Sequence, residues 1–345
     1  MKKQINKILL TGLVLFCAAM PLLAQSEQGT DMKHRGQSTM DFLQVAVVPR
    51  AVALGDAYTA LGTGVEAMFY NPAGLGEMDE KTQFFVSQMQ WIADINYFAG
   101  AAAYDLDMYG TVGVSFVYVD YGDIHGTSLF LDSDVAAADP QGYIDNGLVD
   151  NVGSYVLGLG YAYDVTDVFK VGGSLKFATQ KLGTSVTDEG EVKNDQSKLA
   201  FDLGVKYYTP LKSFRFGMSI RNFTSDVKYE NYPASLPVCF AVGGAVDLMD
   251  FIQPEMTSND NEMLATVEFT HPNNYTERLH MGVDYAWKQL LSLRMGYMTN
   301  HDVNGFSMGF GLFPKIGDTT TELSYTYSKM DVFDDVNRFS LKFAF

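Results

Sequence analysis

From about residue 83 to its last residue the sequence alternates. Val112, Val114, Phe116 and Tyr118 share one face, with Gly113 and Ser115 on the other. Tyr155, Leu157, Leu159, Tyr161 and Tyr163 alternate in the same way with Val156, Gly158, Gly160 and Ala162. The pattern returns through Leu199, Phe201, Leu203, Val205 and Tyr207, through Phe214, Phe216, Met218 and Ile220, and through Leu279, Met281, Val283, Tyr285 and Trp287. A period of two belongs to a β-strand. Fourteen segments of about ten residues carry it, near 83–93, 96–105, 109–121, 154–164, 169–181, 198–208, 213–223, 238–247, 263–271, 277–287, 290–299, 304–313, 320–328 and 336–345.

One face of each segment is large and apolar, the other small or polar. A soluble sandwich would bury the large face against a second sheet, whereas a membrane barrel turns it to lipid and keeps the other in its lumen. The small face carries Asp202, Lys206, Arg215, Arg221, Asp284 and Arg294. Such charges can pair in a wet lumen but carry a heavy desolvation cost in a dry core. Tyr161, Tyr163, Tyr207, Tyr285, Trp287 and Tyr297 fall at strand ends, where interfacial girdles lie. Aromatic residues make up 13% of the chain and charged residues only 19%, and no apolar run after the N-terminus is long enough for a transmembrane helix. The predicted fold is all-β: a 14-stranded antiparallel transmembrane barrel in the outer membrane of a Gram-negative bacterium. Outer-membrane lipid is then its solvent.

The connections sort by parity. With both ends of the barrel facing the periplasm, the odd ones point outward and include the longest, 122–153, 182–197 and 224–237. Those near 106–108, 165–168, 209–212, 288–289 and 314–319 are short, the asymmetry expected of such barrels. The exception is 248–262, a long connection on the periplasmic side.

Residues 1–24 read as a signal peptide: Lys2, Lys3 and Lys7 precede an apolar run from Ile8 to Met20, and Pro21 and Leu22-Leu23-Ala24 lead to Gln25. The bulky Phe16 before Cys17 argues against a lipid anchor, so simple cleavage is expected. Cleavage removes three lysines and no acid, taking the formal charge from -17 to -20, and leaves Cys239 as the sole cysteine. That excludes an intrachain disulfide and a cysteine metal cluster, and the negative charge argues against nucleic acid. Residues 25–40 are polar and aperiodic, a mobile leader.

No constellation of side chains suggests catalysis, so no enzyme is predicted and no catalytic, cofactor-binding or metal-binding residue is assigned. The histidines His34, His125, His271, His280 and His301 are scattered. His280 and Asp284, with nearby serines, share an inward face two strand repeats apart, better suited to a hydrogen-bond network than to an esterase site. Gly172-Gly173 and Gly243-Gly244 lack a phosphate-loop context. The 122–153 connection holds six aspartates, but no spaced calcium motif. Its apolar patch Leu129, Phe130 and Leu131 can anchor a partner or pack on the barrel rim.

Before the alternation lies a different kind of sequence. Residues 41–78 are apolar, rich in glycine and alanine, and suited to packing inside a barrel. Within them P-R-A-V-A-L-G-D-A-Y-T-A, from Pro49 to Ala60, and F-Y-N-P-A-G-L, from Phe69 to Leu75, resemble the N-terminal block of the PorV/PorQ family. That family is related to FadL-type barrels and is associated with type IX protein secretion. The resemblance implies a fourteen-stranded barrel, here 83–345, whose N-terminal segment forms a lumenal plug, here 41–82, with Pro49, Arg50, Gly55, Asn71, Pro72 and Gly74 as its structural motif. Asn71 can cap a turn begun by Pro72, and Arg50 calls for a carboxylate in a narrow lumen. The terminal strand, with Phe343 and Phe345, is similar to the insertion signal read by the outer-membrane assembly machinery.

The resemblance further implies a docking, shuttle or attachment role. The partners would be secreted cargo with C-terminal signal domains or a sortase-like protein of the attachment complex, bound through outer loops. The alternative is a FadL-like transporter of long-chain fatty acids or other hydrophobic small molecules. That role requires an apolar groove at the outer loops and a pocket beside the plug.

Overall fold

A strand with one large apolar face must cover that face, and here lipid covers it. The computed structural model describes residues 38–128, 143–187, 190–225, 227–229, 232–252, 261–300, 304–317 and 319–345. One sheet contains all the long strands, with a two-residue strand, Lys315–Ile316, beside them. The remaining fourteen, in chain order, are β1 (Thr82–Gln90), β2 (Asn96–Asp105), β3 (Thr111–Asp120), β4 (Val152–Thr166), β5 (Phe169–Thr187), β6 (Gly190–Tyr208) and β7 (Arg215–Phe223). They continue with β8 (Cys239–Asp247), β9 (Asn261–Pro272), β10 (Arg278–Trp287), β11 (Leu291–Met298), β12 (Asn304–Leu312), β13 (Thr319–Met330) and β14 (Val336–Ala344). Each pairs antiparallel with its neighbours in sequence, and β14 returns to β1, with Leu341 opposite Val86. The sheet is a closed barrel, so no transmembrane edge is left unpaired.

The alternation settles which side faces lipid. On β4, Leu157 and Leu159 are 56% and 61% exposed, whereas Ala162 on the other face has no exposure. Thr326 and Lys206, from opposite parts of the wall, are likewise completely buried on the inner face. Long connections lie on one rim. The opposite rim carries short turns and the C-terminal Phe345, whose ring stacks on Phe84 at 5.7 Å. The long 248–260 connection stands on that second rim too, so the strand count does not slip there. It opens with a short helix, Met249–Ile252, held where Ser213 N donates to Asp250 Oδ2 (3.2 Å) and Lys212 Nζ lies 4.2 Å over the Phe251 ring.

Two predicted features need correction. The 182–197 connection is mostly strand: β5 and β6 keep pairing past a register shift to Thr187 opposite Gly190. Among the described side chains, residues 192–198 of β6 are exposed or half-buried on both faces, so its sequence has no apolar alternation to mark it. The 122–153 and 224–237 connections also contain small hairpins, pairing His125–Ser128 with Ile144–Leu148 and Val227–Tyr229 with Tyr232–Ala234. The second correction concerns direction. Leading into a strand that starts at the periplasmic rim, the segment before β1 is expected to start on that side and enter the lumen from it. Instead Ser38 forms a parallel bridge with Ser235, beyond the outer end of β7, and the chain descends from there to Lys81 at the opposite rim.

Candidate functional site

The descending segment fills much of the lumen, an arrangement compatible with a plug. It has little regular structure: one helical turn, Pro49–Ala53, and 3-10 turns at Asp41–Gln44, Gly64–Phe69 and Pro72–Gly76. A chain without its own ladder must find partners for its peptide groups elsewhere. Inward hydroxyls of the wall supply several. Thr326 Oγ1 donates to Pro49 O (2.6 Å), Ser307 Oγ to Val52 O, Thr266 Oγ1 to Ala57 O (3.0 Å) and Ser87 Oγ to Val47 O (2.7 Å). Asn71 Oδ1 accepts from Ala73 N, capping the turn that Pro72 opens, and its Nδ2 donates to Thr59 O and Val205 O. Glycine on both sides permits the approach. A Cβ on wall residue Gly296 would lie 1.9 Å from Gly55 N, and one on Gly74 would lie 2.2 Å from Gly62 O. Gly55 itself has φ 65°, a conformation that favours glycine.

Charge ties segment to wall. Arg50 Nη2 meets Asp284 Oδ2 at 3.2 Å; Asp284 also receives Arg294 Nε at 3.2 Å, and Arg294 Nη2 reaches Glu322 Oε1 at 2.8 Å. Lys342 closes the chain, 2.7 Å from Glu322 and 3.3 Å from Glu66 of the segment, whose Oε2 also accepts from Tyr58 OH. Three cations face three carboxylates, so the network is neutral and its members compensate one another's burial. Nearer the periplasmic rim, the fully buried Lys206 donates to Glu77 Oε2 (2.7 Å) and Gly62 O (3.0 Å). Glu268 accepts from Thr59 N and Thr59 Oγ1.

His280 belongs to this packing and not to a catalytic group. Its Nδ1 lies 2.7 Å from Gly55 O, which can only accept, so Nδ1 carries the proton; Nε2 is 2.8 Å from Thr270 Oγ1. A single neutral tautomer satisfies both contacts. Among the described residues no group of His, Cys, Asp and Glu is placed to hold a metal ion.

Towards the outer rim the packing loosens. A cavity of about 660 Å³ separates the start of the segment from the wall. Met40, Phe42, Val45, Ile95, Tyr97, Met298 and Met330 give it apolar walls; Arg278 and Arg338 supply cations, and Asp41 and Asp56 carboxylates. A smaller pocket of about 50 Å³ continues inward between Val47 and Phe69 of the segment and Val117 and Val156 of the wall; Phe42 and Val45 line both. Arg338 is only 2% exposed. Its Nε donates to Ala46 O (3.3 Å) and Nη1 to Ser328 Oγ (2.9 Å), while the guanidinium lies 5.2 Å over the Trp91 ring. Among the described residues no carboxylate reaches it within ion-pair distance. A buried guanidinium at a mainly apolar cavity suits a hydrophobic molecule with an acceptor end, placed on the Arg338 side and away from Asp41 and Asp56.

Pro49, Arg50, Gly55, Asn71, Pro72 and Gly74 all lie in the lumenal segment, and Phe343 and Phe345 at the end of β14. Leu129, Phe130 and Leu131 lie outside the described residues. Sequence reasoning missed Glu66, Glu77, Glu322 and Lys342 as network members and Arg338 as a cavity wall. The signal was present for three of them: Glu322, Arg338 and Lys342 occupy the small-residue face of their strands.

No protein-family model matches the sequence, and no curated protein matches it. Solved structures do resemble the fold. The CymD monoaromatic hydrocarbon channel aligns with a TM-score of 0.55 at 13% identity, covering 87% of this chain and 98% of that one. The toluene transporter TodX of Pseudomonas putida aligns with a TM-score of 0.55 at 13% identity over 86% and 96% of the two chains. A FadL homologue of Pseudomonas aeruginosa gives 0.51 at 11% identity over 87% and 98%. The chain therefore has the fold of FadL-like outer-membrane barrels, and these neighbours are not enzymes by name.

Proposed function

We propose that the protein is an outer-membrane barrel that takes up hydrophobic small molecules, receiving them in the cavity at the outer mouth of its lumen. The observation that carries this reading is that cavity: a largely apolar wall with the buried guanidinium of Arg338 beside charged Arg278, Asp41 and Asp56, and a narrower continuation along the segment that Lys176 and Arg221 also line. The fold shared with a monoaromatic hydrocarbon channel and a toluene transporter supports it. Arg338 favours molecules with a polar or anionic end over bare hydrocarbons. Beyond the small pocket the bonded segment blocks the way, so passage requires the segment or the wall beside it to shift.

The test is binding of a fluorescent long-chain carboxylate to the purified barrel in detergent. Met330→Trp, which fills the cavity, should weaken binding about tenfold, the equivalent of roughly 1.4 kcal/mol. Arg338→Met should weaken the carboxylate but not the matching alcohol. Absence of any hydrophobic ligand binding by the unaltered protein would overturn the reading.

A second reading is favoured by the motif residues of 49–60 and 69–75 and by the neutral charge network that fastens the segment. On it, the barrel is of the PorV/PorQ type and docks proteins in type IX secretion, through its outer loops. Its partners would be secreted cargo with C-terminal signal domains or a sortase-like attachment protein. The β5–β6 hairpin, with arms of 19 residues where about ten span a bilayer, offers a projecting surface for this. Co-purification from outer membranes separates the two: recovery of such proteins supports docking, and their absence together with bound lipid-like ligand supports uptake.

A further inference from the structure

The lipid-facing band of a barrel is apolar up to its girdles. Around the closure of this barrel the band stops early. Outward along β1 come Phe84 and Val86, then Gln88 and Gln90; along β14 come Leu341 and Phe339, then Asn337. By contrast β4 presents Tyr155, Leu157, Leu159, Tyr161 and Tyr163. Below the polar step a trough of about 570 Å³ indents the outer wall, bounded by Phe310 and Leu323 on one side and Val86 and Phe98 on the other. Through Gln88 and Phe339, which line both, it runs into a cleft of about 930 Å³ at the outer rim. The cleft lies between 91–94 and 331–335. Asp94, Asp331, Asp334 and Asp335 line it, and among the described residues no lysine or arginine does. Asp335 is already engaged by Tyr327 OH and Met330 N, with Lys329 near it. Asp94, whose Oδ1 accepts from the neutral amide of Gln90 (3.0 Å), together with Asp331 and Asp334 sets the sign of the cleft.

We propose that trough and cleft together hold one outer-leaflet lipid with a primary-amine head, its chain in the trough and its ammonium among Asp94, Asp331 and Asp334. Continuity of an apolar trough with a polar cleft calls for an amphiphile, and charge selects its head. An ammonium has three donors and no acceptor, and ionised carboxylates only accept. An anionic head would bring like charge to three carboxylates with no cation among the described residues of the lining. The inference rests on the barrel's place in the membrane and not on uptake through the lumen, so either can fail without the other.

The test uses full-length protein in non-ionic detergent, titrated with phosphatidylethanolamine or phosphatidylglycerol of identical chains and read by native mass spectrometry. Phosphatidylethanolamine should be retained about tenfold better, the scale of one charge-assisted hydrogen bond. Asp331→Asn with Asp334→Asn should abolish the preference, and Val86→Trp should reduce retention of both lipids. Leu159→Trp, on lipid-facing wall away from the trough, should change neither. The exposed aspartates carry no packing, and heat-modifiable migration confirms that each variant is folded. Equal retention of the two lipids overturns the proposal, as does a preference that survives the double substitution. Binding of lipid A only with magnesium, displacing phosphatidylethanolamine, overturns it in favour of cation-bridged phosphate.

Discussion

Lys206 shows how individual residues hold the lumen together. Its side chain has no exposure, and Glu77, 10% exposed, is its counter-charge. Removing one partner of a buried pair strands the other, which costs about 3–5 kcal/mol, whereas removing both costs far less. Lys206→Met should therefore destabilise the barrel by about that amount, and adding Glu77→Leu should restore most of it. Guanidinium unfolding in detergent measures both; a double variant as unstable as the two singles added together would show that the pair does not act as a unit. Gly296 makes the same point through shape. Gly296→Ala sets a methyl 1.9 Å from Gly55 N, while the same change at Gly153 meets nothing nearer than 3.7 Å. Gly296→Ala should open residues 38–78 to limited proteolysis, and Gly153→Ala should leave the cleavage pattern unchanged. The sequence revealed that charges and glycines face inward, because alternation fixes the face of each residue. It did not reveal which meets which: Arg50 and Asp284 are separated by 234 residues, and only the register of the closed sheet brings them together.

Among the elements, all fourteen strands were legible, since each must present a two-faced surface to lipid and lumen. Elements free of that demand were not. The outer parts of β5 and β6 pair past a register shift without an apolar face, and the segment before β1 packs by small residues with no period. The last strand carries a further consequence. β14 closes the barrel against β1, and Phe345, the residue after it, exchanges reciprocal backbone bonds with Thr82 and stacks on Phe84. We expect Phe345→Ala to reduce the amount of heat-modifiable barrel in the outer membrane several-fold, a defect of assembly. If Phe345 acted only through stability, the variant would reach the membrane in normal amount and unfold more readily once extracted. Quantitative blotting of membrane fractions beside unfolding of purified protein distinguishes the two.

At the scale of the whole molecule, the direction of the N-terminal segment is the feature that the sequence concealed. Cleavage of the expected signal peptide would place the preceding chain in the periplasm during export, and nothing in residues 41–78 states which way they thread. Packing decides it. Asn274 Nδ2 donates to Ser38 Oγ and Gln44 Nε2 to Asn274 Oδ1, both at the outer rim, while Glu77 is held by Lys206 and Tyr208 at the opposite end. The intervening bonds descend the wall in order, so reversing the thread would forfeit all of them. An epitope inserted just before Ser38 should accordingly be reached by antibody on intact cells. An epitope after Ile252, beside the short helix of the periplasmic rim, should be reached only after the outer membrane is permeabilised. Protection of the Ser38 epitope on intact cells, with the Ile252 epitope exposed, would invert the barrel. It would also move the cavity beside Arg338 to the periplasmic side, where it would serve release instead of capture.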